Sequence, residues 1–216
     1  MSAEVLWFEP KLRRVCQLRD FKLVLTKLVA DLIDGMCRTT VMLTDLEQMW
    51  SLLLTDVSAN FDKDAACYTL RRAVLKGGMK ALFLYRLSTS LRLGVDAAFF
   101  LALAESACGV EIGVGARIGG FCVLDHAFGT VIGQQSEIGS NVLMMHGVTL
   151  GAVGLYSHQP LPRHPRIGSG VCLGTNSTVL GNVQIGHCSI VAASAVLNKA
   201  VMPYNVAVGL PSKLVS

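Results

Sequence analysis

The chain is poor in charge, aromatic residues and proline, and what it lacks narrows its chemistry before any motif is read. Only 16% of its 216 residues are charged and 6% aromatic, against 52% hydrophobic, the balance of a chain that buries a core rather than a disordered one. Its nineteen basic residues are scattered and the formal charge is +4, so no basic run speaks for nucleic acid. The longest apolar run, Ala97 to Ala104, is far too short for a bilayer span. The start, MSAEVLWFEPKLRR, carries acidic residues and no apolar stretch, so we expect no signal peptide. Seven cysteines include no CxxC pair, which argues against a disulfide framework and for reduced thiols in a cytoplasmic protein. No metal-ligand spacing is present either, although His146, His158 and His164 are near one another in sequence.

What is present is a period of six. An aliphatic residue followed by glycine or another small residue recurs at Ile112, Ile118, Leu124, then Ile132, Ile138, Met144, Leu150, then Ile167, Leu173, Val179, Ile185 and Val191. A helix face repeats at three and four and a half-buried strand at two. A sustained six is the mark of a parallel β-helix, each hexapeptide giving one short strand and one corner, three closing a coil, and coils stacking about 4.8 Å apart. Small residues such as Gly113, Gly119, Gly133, Gly139, Gly168, Gly174 and Gly186 stand where a Cβ would crowd the neighbouring chain. Cys172 and Cys188 are expected to fall on rungs of this repeat as small buried side chains.

The period breaks twice. Two extra residues enter between Leu124 and Ile132, within Leu124-Asp125-His126-Ala127-Phe128-Gly129, and between Leu150 and Ile167 the rungs give way to AVGLYSHQPLPRHPR. Three prolines there cannot continue the coil, so a loop near 152–166 is expected to project from one edge. Loops on a rigid scaffold are where binding chemistry collects.

The first 109 residues carry no sixes. Leu25, Leu28, Val29, Leu32 and Ile33 form a helical stripe with Gly35 as its stop, and Thr44-Asp45-Leu46-Glu47 opens a second helix carrying Met49, Trp50 and Leu53. Further helices are expected over 66–75, 80–93 and 97–107. The fold class is therefore α+β: an N-terminal α-helical bundle, 1–109, capping one end of a C-terminal left-handed parallel β-helix, 110–216.

These residues resemble a known family. Leu124-Asp125-His126-Ala127 with Gly129, then Gly147-Val148-Thr149-Leu150-Gly151, Arg163-His164-Pro165 and Gly209-Leu210-Pro211-Ser212-Lys213 are similar to serine O-acetyltransferase, a hexapeptide-repeat acyltransferase; Leu75-Lys76-Gly77 and Tyr85-Arg86 extend the likeness weakly into the helices. The resemblance implies acetyl transfer from acetyl-CoA to the hydroxyl of L-serine, opening cysteine synthesis. His126 would be the general base, since a hydroxyl is a poor nucleophile at neutral pH. Glu111 stands where the family has an aspartate that orients this imidazole. Asp125 matches the ligand of the substrate ammonium, and Asp64, or Asp62 by an ungapped count, a second carboxylate. Arg163 and His164 match the carboxylate ligands. Ala193, Lys199 and Lys213 match positions along acetyl-CoA, which lies between neighbouring β-helices, implying a homotrimer or a dimer of trimers. The family chemistry needs no metal.

The departures are specific. Glu111 adds a methylene to the family aspartate. Gly133-Gln134-Gln135 replaces a Gly-Glu-Thr, exchanging a carboxylate for an amide. The sequence ends at Leu214-Val215-Ser216 without the family's isoleucine-ended tail, so no docking to cysteine synthase through it is expected. Two other readings stand beside the first: transfer to another small hydroxy or amino acceptor, and a non-catalytic hexapeptide scaffold, which would have no use for His126, Asp125, Arg163 and His164 together.

Overall fold

The computed structural model describes residues 43–64, 69–90, 94–154, 162–209 and 213–215. Four helices come first: α1 (Leu43–Lys63), α2 (Leu70–Leu75), α3 (Gly77–Ser90) and α4 (Gly94–Cys108). The stripe from Leu25 to Ile33 lies outside the described residues. Along α1, Leu46, Met49, Trp50, Leu53 and Val57 are buried at the three-and-four spacing of one helix face. Helix α2 opens on a Thr69 cap whose side chain accepts the Arg72 N–H, filling one orphan donor of the first turn; the expected start at 66 lies outside the described residues. Helix α3 begins at Gly77, and Gly78 in its first turn packs on the first coil, where a Cβ would overlap the Leu124 carbonyl.

Beyond Cys108 the chain is a parallel β-helix with three faces. The first holds β1 (Val110–Ile112), β4 (Thr130–Ile132), β7 (Thr149–Gly151), β10 (Thr178–Leu180) and β13 (Val196–Leu197). The second holds β2 (Arg117–Ile118), β5 (Glu137–Ile138), β8 (Arg166–Ile167) and β11 (Gln184–Ile185). The third holds β3 (Val123–Leu124), β6 (Leu143–Met144), β9 (Cys172–Leu173), β12 (Ile190–Val191), β14 (Val206–Val208) and β15 (Lys213–Val215), the last antiparallel.

Register stacks each rung on its counterpart: Ile112, Ile132, Leu150, Val179 and Leu197 on one face, Ile118, Ile138, Ile167 and Ile185 on the next, and Leu124, Met144, Leu173, Val191 and Ala207 on the third. All are buried, each large one contributing about 1.5–3 kcal/mol on leaving water. The glycine after a rung keeps neighbouring coils close: a Cβ on Gly139 would lie 2.7 Å from the Ser169 backbone nitrogen. Two cysteines differ from expectation. Leu173 takes the inward position, so the alternation of a strand turns Cys172 outward and leaves it half-buried. Cys188 is exposed, at a left-handed corner with φ 55°.

The helices cap the first coil. Tyr85 donates to the Ala116 carbonyl and accepts the Ile118 N–H, each at 3.0 Å. Arg86 donates to the Ile118 and Gly119 carbonyls and pairs with Asp56 at 3.0 Å, whose carboxylate accepts the Cys122 N–H at 2.9 Å. These groups serve backbone that elsewhere in the stack is paired with a neighbouring coil. Both members of the ion pair are almost fully buried; burial pushes the Asp56 carboxyl up and Arg86 pulls it back.

Candidate active site

Both breaks of the period fall at corners of the prism, and at different corners. The first, Asp125 to Gly129, joins β3 on the third face to β4 on the first. Its backbone is tightly wound: His126 and Ala127 both take left-handed conformations, φ 58° and 55°, uncommon for residues with a Cβ. The Ala127 and Phe128 N–H groups donate two residues back, to Asp125 and His126, each at 2.7 Å. Ala127 is thereby buried while the His126 side chain stays 71% exposed, presenting its imidazole to whatever lies along that edge.

Asp125 is the hub of the corner. Its Oδ2 lies 3.8 Å from His126 Nε2 and its Oδ1 lies 3.6 Å from Lys76 Nζ, and Lys76 also pairs with Asp64. The helices thus deliver a carboxylate and an ammonium to the first break, from the end of α1 and the junction of α2 with α3. Asp62, the alternative to Asp64, is exposed and makes no ion pair among the described residues. The bridging Lys76 was missed as a site residue; its sequence segment carries a weak likeness but no spacing that would reveal it.

The same edge continues upward. His146 occupies the next coil, its ring edge-on to that of His126 with centroids 5.9 Å apart. Asn176 donates its N–H to the His146 carbonyl at 2.9 Å, and Ser194 to that of Thr175 at 2.8 Å. Ala193, exposed, therefore sits three coils above His126 on one edge, a rise of about 14 Å.

The second break leaves β7 at the corner between the first and second faces and returns at β8. Arg163 is half-buried and His164 buried. Gln135 Oε1 accepts the Arg163 N–H at 3.0 Å and lies 3.3 Å from His164 Nδ1. A Cβ on Gly133 would overlap the His164 ring. Burial, reinforced by Arg163, pushes the His164 pKa down.

One chain therefore does not bring all the expected residues together. Asp64, Asp125 and His126 meet; Arg163 and His164 stand on the next edge, across a face about 20 Å wide at extended-strand rise. Glu111 is exposed on β1 and makes no ion pair with His126 among the described residues. Lys199 is exposed near the edge of the second break, and Lys213 lies in β15 beside Val208. Among the described residues no group of three His, Cys, Asp or Glu is placed to hold a metal, and no helix is long and apolar enough to cross a membrane.

Known proteins share this scaffold. The bacterial transferase hexapeptide family (six repeats) matches residues 164–199. The serine acetyltransferase of Bacillus licheniformis is 33% identical over 172 residues, 77% of this chain and 77% of that protein. The chain belongs to the serine acetyltransferase family. Serine acetyltransferase 4 of Arabidopsis thaliana is 38% identical over 194 residues, covering 88% of this chain but 53% of that protein; with shares of 53%, 50% and 45%, the chain spans about half the length of the first curated relatives it matches. Two family structures superpose well. The Neisseria gonorrhoeae enzyme in complex with serine gives a TM-score of 0.72 at 33% identity, covering 77% of this chain and 69% of that one. The Brucella abortus enzyme in complex with coenzyme A gives 0.72 at 32% identity, covering 80% and 72%.

Proposed function

We propose that this protein transfers the acetyl group of acetyl-CoA to the hydroxyl of L-serine, giving O-acetyl-L-serine and free CoA for cysteine synthesis. The observation that carries the reading is the first corner, where left-handed backbone projects His126 beside Asp125, and Asp125 is joined through Lys76 to Asp64. His126 takes the hydroxyl proton as the serine oxygen attacks the thioester carbonyl. The tetrahedral intermediate then expels the CoA thiolate, which takes that proton from the imidazolium. Asp125 lies close enough to stabilise the imidazolium and, with Asp64, to receive the substrate ammonium. Glu111 remains our candidate for orienting the imidazole from the first face.

The carboxylate of serine would meet Arg163, with His164 beside it, and acetyl-CoA would run along the edge from His126 toward Ala193, with Lys213 near its phosphates and Lys199, on the edge of the second break, reaching them from a neighbouring copy. Because the two breaks stand on different edges of one prism, the complete site requires the second break of a neighbouring copy, and we propose a homotrimer on that ground. We place the enzyme in the cytoplasm. A free-thiol assay with acetyl-CoA and serine, homoserine and simple amines tests the reading. Thiol release with serine alone supports it; release only with another acceptor, or with none, overturns it.

A further inference from the structure

The turn that returns the second break to the coil is held by a residue with no assigned role. Gln135 sits at the corner after β4, and its side-chain oxygen meets both the Arg163 N–H and His164 Nδ1. A backbone N–H can only donate, so the end of the amide facing it is the oxygen, an acceptor. The imidazole nitrogen that shares this oxygen must then carry a proton. On its other side the ring fills the space a Cβ on Gly133 would need, Cδ2 and Nε2 being the atoms it would overlap.

We infer that Gln135 is a positioning residue that holds His164 as the neutral Nδ1–H tautomer, so that Nε2 carries a lone pair and Arg163 alone supplies the positive charge of this turn. Neutrality follows from the surroundings: the ring is buried, the charge of Arg163 further disfavours its protonated form, and among the described residues His164 makes no ion pair. A lone pair does not bind a carboxylate. This rests on the proposed binding of a substrate carboxylate at the second break and makes it more specific: Arg163 takes the carboxylate, while His164 fixes the loop and accepts a hydrogen bond.

Nitrogen-15 labelling of the histidines in the full chain, with His164 assigned by comparison with a His164→Gln variant, reads the tautomer directly. At pH 7.5 we expect a proton on Nδ1 and none on Nε2. Gln135→Leu should abolish that preference and raise KM for L-serine about tenfold with kcat within about twofold, the signature of lost uniform binding. Gln135→Glu should restore Nδ1–H and raise the His164 titration midpoint by about one pH unit or more, since a carboxylate favours the imidazolium. An Nε2–H or imidazolium form in the unmodified protein at pH 7.5, or an unchanged tautomer in Gln135→Leu, overturns the inference. A changed tautomer with unchanged KM, or no acetyl transfer to serine, instead overturns the reading that this turn receives the serine carboxylate, leaving the tautomer assignment standing.

Discussion

The two breaks of the coil solve the same problem in opposite ways. The first adds only two residues and holds them by backbone: consecutive left-handed residues, two tight N–H contacts and a buried alanine. The second replaces the rungs over 152–166, of which 155–161 lie outside the described residues, and its return from 162 is held by side chains, Gln135 and the ring of His164 seated on Gly133. A general base must be placed to within a fraction of an ångström of the proton it takes, which short, strained backbone anchored to a stacked coil provides. A carboxylate ligand, the role proposed for Arg163, tolerates a looser mount, because its charge and its five donors act over a wider range. The first break is also the one tied to the helical cap, through Lys76, so its geometry depends on how the helices sit on the coil.

Three changes separate the breaks. The largest effect is expected at the cap: Asp56→Ala leaves Arg86 buried and uncompensated, costing about 3–5 kcal/mol, read by denaturant unfolding. If only the first break leans on the cap, the variant should perturb the Lys76–Asp125–His126 cluster while the His164 ring nitrogens resonate as before; equal disturbance of both would erase the distinction. Next, His126→Ala should lower turnover at least about a hundredfold with the circular dichroism spectrum intact, because a general base contributes that much. Near-normal turnover would remove the first break from the chemistry. Arg163→Ala should act differently, raising KM for L-serine about tenfold with little loss of kcat. L-serine methyl ester, which has no carboxylate, should then be bound no worse by the variant than by the parent; a variant that discriminates as before would place the carboxylate elsewhere.

How much of this was legible beforehand follows from how local each signal is. Inward rungs such as Ile112, Ile138 and Leu173 announce themselves because stacking repeats one environment at fixed spacing, so the period survives in the sequence. The corners were visible as slips of that period, and they carry His126 and Arg163. Lys76 and Gln135 were not, because each acts across the fold: Lys76 reaches Asp125 over forty-nine positions of chain and Gln135 meets Arg163 twenty-eight positions away. Nor did the sequence reveal that the breaks lie on different edges, since that depends on counting faces rather than residues. Asp56 and Arg86 likewise look like ordinary helical charges until α1 and α3 are laid on the coil.

The smallest effect concerns pH. Burial and Arg163 depress the His164 pKa below its ordinary value near 6.5. In the unfolded chain the ring takes up a proton at a higher pH than in the folded one, so the unfolded state binds more protons as the solution is acidified. Stability from this group is therefore complete above about pH 6.5 and is lost as pH falls through the lower folded value. Thermal unfolding from pH 7.5 down to 5 should show this loss, and His164→Gln, which keeps a polar ring-sized group but no titration, should flatten that part of the profile. A profile that His164→Gln leaves unchanged would show that the side-chain mounting of the second break is not what acid disturbs.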